Sequence, residues 1–160
     1  MSGEVSALKE TQVFTPRWAA DEMLDLLDKE LFGSEETFFF EPSCGDGAIL
    51  IPMLDRIFAS LLAKHSNRER ALAETLHKFY AIELDEEMVI KCRTNVWGWI
   101  SVKLTEGADQ KVLLDFLIAN QLRDAIEHNN FFQVMQEAED TAVCRRSKRL
   151  CLMKYGARKL

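Results

Sequence analysis

An α/β fold built on a parallel sheet is predicted by three features of the chain. Two short apolar runs rich in strand formers, Thr37 to Glu41 and Phe79 to Leu84, are separated by a long helical stretch. The first run ends in a glycine turn, Pro42-Ser43-Cys44-Gly45-Asp46-Gly47, which opens directly into that stretch. Strand, glycine turn, helical crossover and strand make a βαβ unit, whose right-handed connection lays both strands parallel in one sheet.

The first firm element is a helix over 16–32. Thr15 suits its N-cap, Pro16 its first helical position and Gly33 its stop. Ala20, Met23, Leu24, Leu27 and Leu31 recur at helical spacing, leaving Asp21, Glu22, Asp25, Asp28 and Lys29 for water. The run Thr37-Phe38-Phe39-Phe40-Glu41 is apolar without alternation, as a strand buried on both faces requires. A helix over 48–64, a polar break at His65-Ser66-Asn67 and a helix over 68–78 follow, then the second strand at 79–84 and a helix from Asp85 through Val96. Beyond Trp97 the pattern predicts a third strand at 99–104 and a helix over 111–128. Phe131-Phe132-Gln133-Val134 reads as a fourth strand or as core contact. The whole is Rossmann-like, with residues 1–143 as its body and 144–160 as a basic tail.

Composition narrows the function classes. The chain of 160 residues, 48% hydrophobic and 29% charged, suits one ordinary globular domain. No apolar run is long enough to span a bilayer and the N-terminus lacks a signal-peptide pattern, so a cytoplasmic protein without membrane contact is expected. The four cysteines (44, 92, 144 and 151) form no Cys-x-x-Cys pair and the three histidines no ligand spacing, which argues for reduced thiols and against a metal centre. The net charge of −6 is unevenly placed. All seven basic residues past position 143 (Arg145, Arg146, Lys148, Arg149, Lys154, Arg158 and Lys159) lie in a stretch free of acids, and the 13 basic against 26 acidic residues before it give the body −13. Such a body repels a phosphate backbone, so contact with DNA by this chain alone falls to the tail, which reads equally as a solvated terminus.

The chemistry is concentrated in the glycine turn. Backbone N–H groups and a helix N-terminus beside a buried strand form a ligand cradle, and glycine lets the ligand approach the backbone. Gly45-Asp46-Gly47 supplies Gly-x-Gly, but Leu50 stands where a dinucleotide site places its third glycine, which argues against NAD or FAD. Cys44, without a neighbouring His or Lys, is expected to pack and not to attack. Trp97 and Trp99 are expected in the core or at a partner interface.

With these residues in view, a family resemblance becomes specific. Glu41-Pro42-Ser43-Cys44-Gly45-Asp46-Gly47 resembles the (Asp/Asn/Glu)-Pro-x-Cys-Gly-x-Gly motif with which adenine-N6 DNA methyltransferases bind S-adenosylmethionine (SAM). Val13-Phe14-Thr15-Pro16 is similar to the family's Phe/Tyr-Thr-Pro segment, which closes over the methionine end of the cofactor. Tyr80-Ala81-Ile82-Glu83-Leu84-Asp85 resembles the end of its second strand, whose acid holds the ribose hydroxyls. The resemblance implies an incomplete Rossmann-like SAM-dependent methyltransferase fold with parallel strands and flanking helices. It places Glu41 and the backbone of Gly45 and Gly47 near the amino-acid portion of SAM, with Pro42 and Cys44 as further members of the cofactor-binding motif. Thr15 reaches the SAM carboxylate beside Phe14 and Pro16 in the closing segment, with Glu83 on the ribose and Leu84 against the adenine. An acid that reads the adenine amine is carried by Asp109 in one alignment; the other, through Asn129-Asn130-Phe131-Phe132-Gln133-Val134, has none. Taken alone, Thr15 also fits a mere helix cap and Glu83 a solvated strand-end acid.

The resemblance stops short of catalysis. The family grips the target adenine with Asp/Asn-Pro-Pro-Tyr/Phe, whereas the prolines here are Pro16, Pro42 and Pro52 and none are adjacent. The expectation is therefore the SAM-binding portion of an adenine-N6 DNA methyltransferase of the restriction-modification type, catalytically incomplete as one chain. DNA would be reached through a complementary half or the basic tail. The alternatives are a non-enzymatic module that binds or regulates a protein partner, and a methyltransferase for another acceptor.

Overall fold

The computed structural model describes residues 14–104, 122–134 and 150–152. Its described elements are α1 (Arg17–Asp25), a 3-10 helix (Lys29–Gly33), β1 (Phe38–Glu41), α2 (Leu50–His65), α3 (Arg68–Leu76), β2 (Phe79–Glu83), α4 (Glu86–Lys103), β3 (Ile126–His128) and β4 (Leu150–Leu152). The four strands form one sheet in the order β3-β2-β1-β4, and every pairing is parallel. The molecule is α/β, with helices flanking a parallel sheet.

The register divides the sheet side chains between two faces. Phe39 pairs with Phe79 and Ala81 with Ile126, so these four share a face, and all belong to the main core together with Leu50, Met53, Leu54 and Ile57 of α2 and Val89, Cys92, Val96 and Ile100 of α4. Phe40, Tyr80 and Ile82 point the other way. There Phe40 stacks on Tyr80 at 5.7 Å and on Phe131 at 6.1 Å. Phe39 and Phe40 are adjacent and both buried, as a strand covered on two faces requires.

The predicted first helix is broken in two. Arg17–Asp25 is α-helical, the chain turns at Leu26 to Asp28, and Lys29–Gly33 resumes as a 3-10 helix. The turn lets Phe32 stack on Phe39 at 5.5 Å beneath the Arg56 guanidinium, a position that a straight helix could not reach. Its N-cap is Pro16, extended at ψ 151°, whose carbonyl accepts from both Ala19 and Ala20 N–H. Thr15 is therefore not the cap.

The crossover follows expectation more closely. α2 begins at Leu50, two residues later than predicted, and ends where Ser66 takes a left-handed φ of 52°. Asn67 then caps α3 by accepting from Arg70 N–H at 2.7 Å. Pro52 lies in the first turn of α2, where its missing N–H costs nothing.

The largest departure is α4. Residues 99–104, predicted as a strand, complete this helix, which runs to Lys103. Val89, Cys92, Val96, Trp99 and Ile100 form one buried helical stripe, which continues past the exposed Gly98 without a break in the helix. Trp99 is held there by an indole N–H bond to Asp55 at 2.8 Å and an edge contact with Phe58. Packing outweighs local strand preference.

The third strand is instead Ile126–His128; of the span 111–128 predicted to be helical, 122–125 is helical and 111–121 lies outside the described residues, and 131–134 is a helical turn rather than a strand. The sheet also reaches past residue 143, because Leu150–Leu152 lie within the span read as a basic tail and pair with β1. The remainder of that tail and Asp109 lie outside the described residues. Among the described residues no helix is long and apolar enough to cross a membrane.

Candidate functional site

The strand order fixes where a ligand cleft lies. From β1 the chain moves outward through β2 to β3, and β4 then pairs on the opposite side of β1. Strand order therefore reverses beside β1, and in open parallel sheets ligands bind beyond the carboxyl ends of the strands at such a switch point. The segment leaving β1 there is the glycine turn.

That turn is fastened on all sides. Cys44 N–H donates to Ile82 O at 3.0 Å, tying the turn to β2, and Gly47 N–H closes it on Cys44 O at 2.8 Å. Gly45 (φ 54°) and Gly47 (φ 94°) both take positive φ, which other residues adopt at a cost. A Cβ on Gly45 would point into open space, whereas one on Gly47 would meet Cys92 Sγ at 3.3 Å and the Ile51 side chain at 3.6 Å. One glycine leaves room at the surface; the other allows α4 to pack beneath the turn.

Glu83, at the tip of β2, links the turn to the next loop. Its Oε2 accepts from Gly45 N–H at 2.8 Å, and Oε1 accepts from Leu84 N–H at 2.8 Å and Asp85 N–H at 3.1 Å. A carboxylate offers about four acceptor sites, so three are engaged by backbone that a bound diol could replace or share. Its own carbonyl accepts from Asn129 N–H at 2.9 Å, which brings the end of β3 to the same edge. Glu41 is buried, and its Oε1 accepts from Ser43 N–H at 3.2 Å across Pro42. Leu84 is exposed beside Glu83.

On the other flank a pocket of about 260 Å³ separates Thr15 and Arg17 from Asp46, Gly47, Ala48, Ile51, Pro52 and Asn95. Thr15 thus faces the glycine turn, and Phe14 is held nearby, its ring 4.8 Å below the Lys91 ammonium. Lys91 in turn lies 3.6 Å from Asp46 Oδ2. The pocket does not extend to Glu41, Glu83 or Leu84; Glu41 and Glu83 meet the turn through Ser43 and Gly45.

The expected residues 14–16, 41–47 and 83–84 therefore converge on one edge. Hydrogen bonding with Cys92, burial, and the neighbouring Glu83 and Glu41 carboxylates push the Cys44 thiol far above its ordinary range, so it packs as a neutral thiol. Trp99 is buried rather than partner-facing, and Trp97 is half-buried against the core.

Sequence reasoning missed Asp46, Lys91 and Asn95. Asp46 stood in view as the middle residue of Gly-x-Gly. Lys91 and Asn95 are spaced i, i+4 on α4, and Asn95 Nδ2 donates to Asp46 O at 2.9 Å. The observed β3 leads into Asn129-Asn130, where Asn130 Oδ1 accepts from Phe132 N–H at 2.9 Å. Among the described residues no cluster of His, Cys, Asp and Glu could hold a metal ion.

Comparison with known protein families, with curated proteins and with solved structures finds no match to this chain.

Proposed function

We propose that the chain is the SAM-binding portion of an adenine-N6 DNA methyltransferase of the restriction-modification type, catalytically incomplete as a single chain. The observation that carries this reading is the 2.8 Å bond from Gly45 N–H to Glu83 Oε2, which joins two motifs 38 residues apart at the edge that Thr15 also faces.

The donor set suits a sulfonium nucleoside. Glu83 presents acceptors to a ribose diol, Leu84 an apolar face to a purine, and Asn130 an amide whose oxygen can accept from an adenine amine while its nitrogen donates. The carboxylates of Glu41 and Asp46 and the Thr15 hydroxyl complement an amino-acid end. Bound SAM would supply the activated methyl group. The chain's part is to orient the cofactor, with Gly45 allowing close approach and α2 directing its N-terminus toward the turn. Gripping and flipping an adenine is left to a complementary segment, because no Pro-Pro pair is present.

Calorimetry with SAM, run beside a labelled-methyl transfer assay on DNA, tests both halves of the proposal. Saturable one-to-one binding without transfer is expected, and Glu83→Ala is expected to weaken binding by about 10-fold or more. Efficient methylation of DNA by the chain alone would overturn the claim of incompleteness; no binding at millimolar SAM would overturn the cofactor claim.

A non-enzymatic module remains a second reading because of one surface. Trp18 on α1 and Leu26 at its C-terminal cap are 66% and 86% exposed, and tryptophan is enriched at binding hot spots. Capture of a specific protein that is lost in Trp18→Ala, together with failure to bind SAM, would favour it.

A further inference from the structure

Asp46 is poorly compensated. Among the described residues, Asp46 Oδ1 is a buried side-chain oxygen without a hydrogen-bond partner. Among the same residues its Oδ2 has only the Lys91 ammonium at 3.6 Å, beyond hydrogen-bonding distance, and the Lys91 side chain is 49% exposed and shared with the Phe14 ring. Three nearby donors are already committed. Asn95 Nδ2 serves the Asp46 backbone carbonyl, Gly47 N–H serves Cys44 O, and the Arg17 guanidinium binds Asp21 at 2.9 Å and faces Asp55 at 3.6 Å. Folded proteins pair nearly all their buried polar atoms, so an orphaned carboxylate oxygen calls for an explanation, and a missing ligand is one. Asp46 also lines the pocket beneath Thr15. Oδ1 is shielded while the Asp46 side chain as a whole is 22% exposed, so a cation seated in the pocket would meet the carboxylate at Oδ2, where Lys91 now stands, and would compensate a charge that Oδ1 leaves unbalanced.

We propose that Asp46 is the cation acceptor of this site. The pocket between Thr15 and Gly47 seats a positively charged ligand group against its carboxylate, and Lys91 is the loosely held placeholder that this group displaces. The assignment rests on the reading of the edge as a SAM site, because that class of ligand carries two candidate cations, the sulfonium and the α-ammonium. The apolar side of the pocket, Ile51 and Pro52, suits the alkyl chain that joins them.

Three nucleosides separate the sources: SAM carries both cations, S-adenosylhomocysteine only the ammonium, and 5′-methylthioadenosine neither. Their dissociation constants are to be measured on the full chain, on Asp46→Asn and on Lys91→Met. In Asp46→Asn, 5′-methylthioadenosine binding should stay within about two-fold, while SAM weakens by about 10-fold or more, as loss of a charge-assisted bond predicts. A parallel loss for S-adenosylhomocysteine assigns the ammonium to Asp46, and a loss confined to SAM assigns the sulfonium. Lys91→Met should tighten binding of the cationic ligands by about two- to five-fold, the scale of a surface ion pair. Opposite signs in the two variants are not expected of residues that merely hold the turn in shape. Equal losses for all three ligands, or none, overturn the proposal and leave the SAM reading intact. If the wild-type chain binds none of the three, the SAM reading fails, and L-methionine becomes the probe. A shift of the Gly47 amide resonance in the wild type but not in Asp46→Asn still supports the cation site, and no shift overturns it.

Discussion

Gly45 and Gly47 lie two residues apart on one turn and carry different constraints. At Gly45 the φ of 54° fits the left-handed region and a side chain would point into open space, so alanine brings only backbone strain. Gly45→Ala should cost about 1 kcal/mol of stability and mainly harm ligand binding. At Gly47 the φ of 94° coincides with Cys92 Sγ at 3.3 Å and the Ile51 side chain at 3.6 Å, and both belong to helices packed beneath the turn. Gly47→Ala should cost about 2 kcal/mol or more. Urea denaturation of the two variants should therefore rank Gly47→Ala as the less stable, and ligand titration of the folded proteins should show binding impaired in Gly45→Ala. A more stable Gly47→Ala would mean that α4 does not support the turn in this way. At this scale the sequence was informative where a motif names residue types, as at Glu41, Gly45, Gly47 and Glu83. It was silent on Lys91 and Asn95, because their approach to Asp46 depends on how α4 is rotated against the turn.

Among the elements, α4 couples the site to the helical layer. Its Trp99 and Lys103 both bind Asp55 of α2, at 2.8 Å each, and Arg17 of α1 lies 3.6 Å from the same carboxylate. Burial, the largest single influence, pushes the Asp55 carboxyl up. Hydrogen bonds from Lys103 and Trp99 with the charges of Lys103 and Arg17 outweigh it and hold the group below its ordinary value of 3.8. A folded-state value below the unfolded one means that the stabilisation is fully present above pH 3.8 and disappears as pH falls through the folded-state value. Asp55→Asn should thus be less stable than the wild type at neutral pH, by about 1 kcal/mol, and the gap should close in acid. Chemical denaturation at pH 7 and below pH 3.8 measures this, and a gap that widens in acid would contradict it. This three-helix junction was not legible in the sequence. Trp97-Gly98-Trp99 reads locally as a break followed by a strand, and only Phe58 and Asp55, more than 40 residues earlier, supply the reason for the helix to continue. β1, α2, α3 and β2 were legible because their punctuation is local: Pro42 and the glycine turn, Ser66 in the left-handed region, and Asn67 as a cap. The first helix was misread because its apolar spacing continues through Leu27 and Leu31 while the backbone does not.

On the scale of the whole molecule, the parallel sheet brings every chain segment that leaves a strand tip to the same edge. The turn after β1, the Glu83-Leu84 corner after β2 and Asn129-Asn130 after β3 are gathered there by hydrogen bonds across 38 residues between Gly45 and Glu83 and from Asn129 N–H to Glu83 O. Reversal of strand order beside β1 opens the cleft at the motif-bearing turn. The βαβ unit was predictable from pattern; the sheet order was not, because it depends on Ile126–His128 and Leu150–Leu152, two three-residue strands too short to stand out from their surroundings. The central claim, that this edge receives a sulfonium nucleoside, is tested most directly by amide correlation spectra of the labelled chain titrated with SAM. The account predicts saturable shifts centred on Gly45, Gly47, Leu84 and Asn130, with the response lost in Glu83→Ala. Spectra unchanged at these four amides up to millimolar ligand, or shifts confined to a surface elsewhere, would contradict it.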